Sequence, residues 1–113
     1  MKEIKAIIRP FKLLDVIEAL QKIEGLPGVT VSEIKGFGKS RAKNATDKIV
    51  YEMVELVPRI KLEIVVENEI ENEVVNVIQK YSHTGNSGDG KIFVLNVEDV
   101  VKIRTNERGE EAV

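Results

Sequence analysis

The sequence predicts an α+β sandwich, one domain over residues 1–113, with the order strand, helix, strand, strand, helix, strand. Three observations predict it. Apolar residues alternate with polar ones in several short Ile/Val-rich runs, as in half-buried strands. Two other runs carry apolar residues at helical spacing. The strand–helix–strand order of the first half recurs in the second, beyond a long segment without clear period. A chain of 113 residues has room for a single core and not for two independent ones.

Met1–Arg9 reads as the first strand, with Ile4, Ala6 and Ile8 on one face and Ile7 on the other, and Pro10 ends it. Lys12–Glu24 reads as a helix with its apolar stripe at Leu13, Val16, Ile17, Leu20 and Ile23, stopped by Gly25 and Pro27. Val29–Phe37 is the second strand, closed by Gly36 and Gly38. Residues 39–50 form a locally basic loop, with Lys39, Arg41, Lys43 and Lys48 against Asp47. Its length exceeds the roughly 2–5 residues of a hairpin and calls for a functional reason. Tyr51–Glu67 reads as a long strand in which Pro58 marks a bend or the start of an edge. Asn68–Tyr81 is the second helix, with Asn68 and Glu71 placed as a capping box and Ile70, Val74, Val77, Ile78 and Tyr81 as the buried stripe. Ser82–Lys91 is glycine-rich, Ile92–Leu95 is a strand, and Val100–Arg104 is a further short one. Thr105–Val113 reads as a mobile polar tail.

Two such halves give the ferredoxin-like βαββαβ arrangement, an antiparallel sheet with both helices on one face. The other face has no helix of its own. Closure around a symmetry axis would cover it, so a ring-like homo-oligomer is expected.

Composition excludes several functions. There is no cysteine and one histidine, His83, so disulfides, thiolate sites and multi-histidine metal clusters within one chain are excluded. The charge nearly cancels, 17 basic against 19 acidic residues, and aromatics are 4%, which argues against a nucleic-acid binder. No apolar run is long enough to span a membrane, and no apolar signal core precedes the first charges. The expected location is therefore the cytoplasm, with no direct membrane insertion.

The most informative stretch is Thr84-Gly85-Asn86-Ser87-Gly88-Asp89-Gly90-Lys91. Gly85, Gly90 and Lys91 match G-x-x-x-x-G-K, but Ile92 stands where a P-loop needs Ser or Thr, and the loop runs from helix to strand, so that motif is rejected. Closely spaced glycines still let backbone amides converge on an anion beside Lys91. Alone, the loop reads equally well as a plain turn with Gly85 as helix C-cap. Lys102 and Arg104, two apart on an expected strand, and Arg59 and Lys61, likewise alternating, favour the polyphosphate reading over charged, solvated strand edges. His83 fits a helix-end histidine interacting with terminal carbonyls.

These residues resemble the PII signal-transduction family along nearly the whole chain. The resemblance lies in Ile4-Lys5-Ala6-Ile7-Ile8-Arg9-Pro10-Phe11-Lys12, and in Thr30-Val31-Ser32-Glu33 followed by Gly36-Phe37-Gly38. It continues in Thr84-Gly85 with Gly88-Asp89-Gly90-Lys91-Ile92-Phe93, the family's B-loop, and in Ile103-Arg104-Thr105 with Glu107-Arg108-Gly109-Glu110-Glu111-Ala112, its C-loop and tail. The resemblance implies a non-enzymatic regulator, a homotrimer that binds ATP or ADP between subunits. The nucleotide site it implies comprises Ile7, Thr30, Gly36, Gly38, Glu63, Val65, Gly88, Asp89, Gly90 and Lys91, with Lys102 and Arg104 from the adjacent subunit. Mg²⁺ is a candidate companion ion. The basic loop, with Lys39, Ser40, Arg41, Lys43 and Lys48, would correspond to the family's T-loop, which engages a membrane transporter or metabolic enzyme, in a setting of nitrogen regulation.

Some positions depart from the family. The loop has Ser40 and no glutamine where members hold Mg²⁺ and 2-oxoglutarate; Arg59, His83 and Lys102 replace a lysine and two arginines. Counted back from Pro58, the position of the modified tyrosine holds Glu52, with Tyr51 one place earlier. The departures argue against 2-oxoglutarate and against modification of Tyr51. They favour a divergent member that senses ATP and ADP. The alternative is a ligand-blind trimeric interaction or metal-tolerance-type protein of the same fold.

Overall fold

A computed structural model of the chain describes residues 1–38 and 56–113. The basic loop 39–50 and Tyr51 lie outside them. The elements are β1 (Lys2–Ile8), α1 (Leu13–Leu20), β2 (Thr30–Gly36), β3 (Val57–Val66), α2 (Glu71–Ser82) and β4 (Lys91–Asn96). The sheet order is β2-β3-β1-β4, with every neighbouring pair antiparallel. This is the ferredoxin-like topology, in which each crossover helix skips over one inserted strand.

The alternation in sequence sets which side is dry. Ile4, Ala6 and Ile8 of β1 and Ile60, Leu62, Ile64 and Val66 of β3 face the helices and are buried. Val16, Ala19 and Leu20 of α1, Ile23 beyond it, and Val74 and Ile78 of α2 close the core from above. Register assigns the opposite residues to the uncovered face. Ile7 is paired with Lys61 and Lys91, Lys5 with Glu63 and Phe93, and Arg59 with Ile34. That face mixes apolar and charged residues, and Phe93 and Leu95 are 44% and 42% exposed on it.

Several expectations are corrected. Pro10 does more than end β1. It opens a 3₁₀ turn, Pro10–Lys12, which delays α1 to Leu13. Proline suits such a first turn because its missing N–H would have no partner there. The second helix likewise starts later, after a 3₁₀ turn at Asn68–Ile70, and makes no side-chain cap. Asn68 instead accepts a hydrogen bond from the N-terminal ammonium at 2.9 Å, so the capping box does not form. Tyr81 is 38% exposed and lies under the Lys80 ammonium. Pro58 sits where β3 has outrun β1, whose pairing ends at Ile8↔Ile60, and is paired only with Lys35 of β2.

The largest correction is at the C-terminal end. Val100–Arg104 is not a strand. A single bridge, Val101↔Arg108, closes a loop in which the Lys102 amide donates to Glu107 at 2.9 Å and the Asn106 amide to Lys102 at 2.7 Å. Asn106 takes a positive φ of 63° to make the turn, a conformation asparagine tolerates. The chain then folds into a 3₁₀ turn at Gly109–Ala112 with Ala112 buried, so the segment expected to be a loose tail is structured.

Candidate functional site

A cleft of about 470 Å³ opens on the uncovered sheet face, where β2 ends, β3 begins and the glycine-rich loop leads into β4. Ile7, Ile34 and Phe93 give it an apolar floor, and Arg59 and Lys91 bring charge. All five are placed there by the period-two alternation, since register puts them on one side of the sheet. The backbone leaves the described region at Gly38 and re-enters at Leu56, and Gly38 and Val57 both line the cleft.

The glycine-rich loop is built around one carboxylate. Asp89 accepts hydrogen bonds from the Thr84 amide at 2.7 Å, the Gly85 amide at 2.9 Å and the Thr84 hydroxyl, and it pairs with Arg9 Nε at 3.0 Å. The hydrogen bonds from Thr84, with those from Arg9 and Gly85, hold its pKa far below the usual carboxylate range. Arg9 also donates through Nη2 to the Ser87 carbonyl at 2.6 Å. The loop is thus tied to the end of β1. Gly90 is obligatory in this arrangement. Its φ is +99°, and a Cβ there would lie 1.7 Å from the Ile7 carbonyl oxygen. Gly88, with φ +98°, lies against the guanidinium groups of both Arg9 and Arg59.

Of the residues expected at the site, Ile7, Gly36, Gly38, Gly88, Gly90 and Lys91 line the cleft. Thr30, Glu63 and Val65 do not. They lie farther along the same sheet face, with Thr30 paired to Glu63 and Val65 paired to Glu3. Glu63 also meets Lys61 at 3.4 Å. Asp89 turns away from the cleft and lines a smaller cavity of about 300 Å³ beside Gln79, Ser82 and His83. Lys102 and Arg104 are absent from the cleft of their own chain. Lys102 is held by Glu107 at 3.7 Å. The Thr105 hydroxyl and Lys102 together lower the Glu107 pKa. Lys39, Ser40, Arg41, Lys43, Lys48 and Tyr51 lie outside the described residues.

Arg9, Ile34 and Phe93 were not anticipated as site residues. Alternation with Ile7 and Lys91 was the available signal for Ile34 and Phe93. For Arg9 there was none, since its partner Asp89 is 80 residues away in sequence. Among the described residues no cluster of three or more acidic or histidine side chains could hold a metal ion, and no helix is long and apolar enough to cross a membrane.

Residues 1–107 match the family model "Nitrogen regulatory protein P-II". Similar chains include the nitrogen regulatory protein P-II of Azospirillum brasilense, 45% identical with both chains fully covered, and P-II 1 of Escherichia coli K12, also 45% identical with both fully covered. Among solved structures, a PII protein of Arabidopsis thaliana bound to citrate superposes with a TM-score of 0.79 at 42% identity, covering 99% of this chain and 91% of that one. Proteins of this family are signalling regulators rather than enzymes, and as a family they form trimers and bind adenine nucleotides and 2-oxoglutarate. With a matching model along nearly its whole length and full-length relatives at this identity, the chain belongs to the nitrogen regulatory protein P-II family.

Proposed function

We propose that this chain is an energy-state sensor of nitrogen regulation. It binds ATP or ADP between subunits of a homotrimer and acts on a transporter or metabolic enzyme through the basic loop 39–50. The observation that carries this reading is the convergence of Arg59, Lys91 and the glycine-rich loop on one cleft that is open toward the uncovered sheet face. Phosphates suit that end. Strand residues 59 to 63 span about 13 Å, so the sheet face from Arg59 to Glu63 offers a strip for the rest of a nucleotide.

A neighbouring subunit completes the site in this reading. The loop carrying Lys102 and Arg104 projects Ile103 fully exposed, which fits an arm that packs on another chain. Arg104 and Lys102 would then approach the phosphates from across the interface. Mg²⁺ would enter with the phosphates as their companion.

Within the nucleotide reading, 2-oxoglutarate is expected not to couple, because Arg59 offers a wide fork in place of a lysine point charge and Ser40 replaces an amide ligand. Lys39, Arg41, Lys43 and Lys48, with Ser40, supply the partner contact. Charge reversal at Lys39, Arg41 and Lys43 should weaken partner capture, and unchanged capture would remove the loop from the account.

The test is calorimetric titration with ATP and ADP, each with and without Mg²⁺ and 2-oxoglutarate. The expected result is nucleotide binding that 2-oxoglutarate leaves unchanged. Synergy between ATP and 2-oxoglutarate would mean that Ser40 and Arg59 serve as adequate substitutes and the chain senses nitrogen status directly. No nucleotide binding would favour the ligand-blind trimer.

A further inference from the structure

We propose that Arg9 and Asp89 form a positioning pair that presets the glycine-rich loop for phosphate without touching the ligand. This rests on the nucleotide reading above. A carboxylate next to a phosphate site would ordinarily repel the ligand. Here both oxygens are consumed. Oδ1 takes Arg9 Nε at 3.0 Å and the Thr84 hydroxyl, and Oδ2 takes the amides of Thr84 at 2.7 Å and Gly85 at 2.9 Å. Four donors match the acceptor capacity of a carboxylate. Asp89 is therefore an internal strut, and it lines the cavity behind the loop rather than the cleft.

Arg9 spans the loop from the other side. Its fork reaches Asp89 through Nε and the Ser87 carbonyl through Nη2 at 2.6 Å, so it grips the chain on both sides of Gly88. A Cβ on Gly88 would stand 3.1 Å from Arg9 Nη2 and 3.2 Å from Arg59 Nη2. Gly88 is thus pinned between a guanidinium that belongs to the strut and one that belongs to the cleft. Lysine could supply the charge of Arg9 but not its two-pronged grip.

The test compares Arg9→Gln, Asp89→Asn and the double variant for ATP, ADP and adenosine binding by calorimetry, with melting temperature measured alongside. Each single variant should weaken ATP about tenfold. The double variant should be no weaker than the worse single one, because both remove one clasp. Adenosine affinity should hold, since only the phosphate end is disturbed; a merely structural role would weaken adenosine and ATP alike. Arg9→Lys should fall between wild type and Arg9→Gln, and it serves with Asp89→Glu if the other variants do not fold. Losses that multiply, or ATP binding unchanged in Asp89→Asn, would overturn the pair while leaving the nucleotide reading intact. Failure of the wild-type protein to bind ATP overturns both.

Discussion

The glycine-rich loop and the loop between Val100 and Gly109 are organised by the same device and differ in what they are fastened to. In each, an aspartate accepts backbone amides: Asp89 those of Thr84 and Gly85, Asp99 those of Val100 and Gly109. The first loop is then clamped to β1 by Arg9 and by the close approach of Gly90 to Ile7. The second closes mainly on itself. Lys102, Thr105 and Asn106 bond to Glu107 and Arg108, and Ile103 remains fully exposed. A loop locked to its own sheet suits a fixed half-site. A self-closed arm that leaves an isoleucine in water suits a surface meant for another chain.

The sharpest way to break this contrast is at the glycines. Gly90→Ala should cost about 4 kcal/mol or prevent folding, because a Cβ would collide with the Ile7 carbonyl. Gly109→Ala has a positive φ but nothing within 4 Å, so about 1 kcal/mol is expected. Urea unfolding of both variants measures the difference, and equal costs would show that the first loop is not clamped.

Ile103→Asp tests the other half. It should leave the circular dichroism of the folded chain unchanged, since the side chain is exposed in the single chain, while urea stability falls with the assembly it supports. Sedimentation should show a weakened assembly. An unchanged assembly would mean that the arm docks on no other copy. Nucleotide affinity gives the next contrast. Arg104→Ala should weaken ATP about tenfold at unchanged melting temperature. Lys102→Ala should do less, because Glu107 already holds that ammonium.

The smallest expected effect is on acid behaviour. Asp89 has a lowered pKa in the folded chain, so its contribution is complete above the ordinary carboxylate value of about 4 and drains away as pH falls toward the lower folded value. The carboxylate carbon shift of Asp89 should therefore still report the ionised form at about pH 3, where an ordinary aspartate is mostly protonated. Removing the Thr84 hydroxyl, the largest cause, as in Thr84→Val, should bring that titration back toward the ordinary range more than Arg9→Gln does.

The sheet was legible because its alternation is strict. Ile4, Ala6 and Ile8 against Ile60, Leu62 and Ile64 leave one way to bury both strands, and register then placed Ile7, Arg59 and Lys91 together. Val101-Lys102-Ile103-Arg104 alternates just as well, yet among the described residues it has no partner strand beyond the single bridge at Val101, and the Asn106 turn bends it back. Alternation reports a preference for an extended chain; a partner makes it a strand. The capping box failed for a related reason, because the Asn68 side chain is engaged by the N-terminal ammonium instead of a helix amide. The role of Asp89 was hidden because a motif names a loop's residues without saying which of them face inward.

The central claim is that one nucleotide is held by two chains, Lys91 from one and Arg104 from its neighbour. Co-assembling Lys91→Ala chains with Arg104→Ala chains tests it directly. Each variant alone should bind ATP poorly, while mixed assemblies contain interfaces in which an intact Lys91 faces an intact Arg104. Calorimetry on the mixture should show a fraction of sites recovering wild-type affinity. If the mixture binds no better than its components, Lys91 and Arg104 act within one chain or not at all, and the two-chain site is wrong.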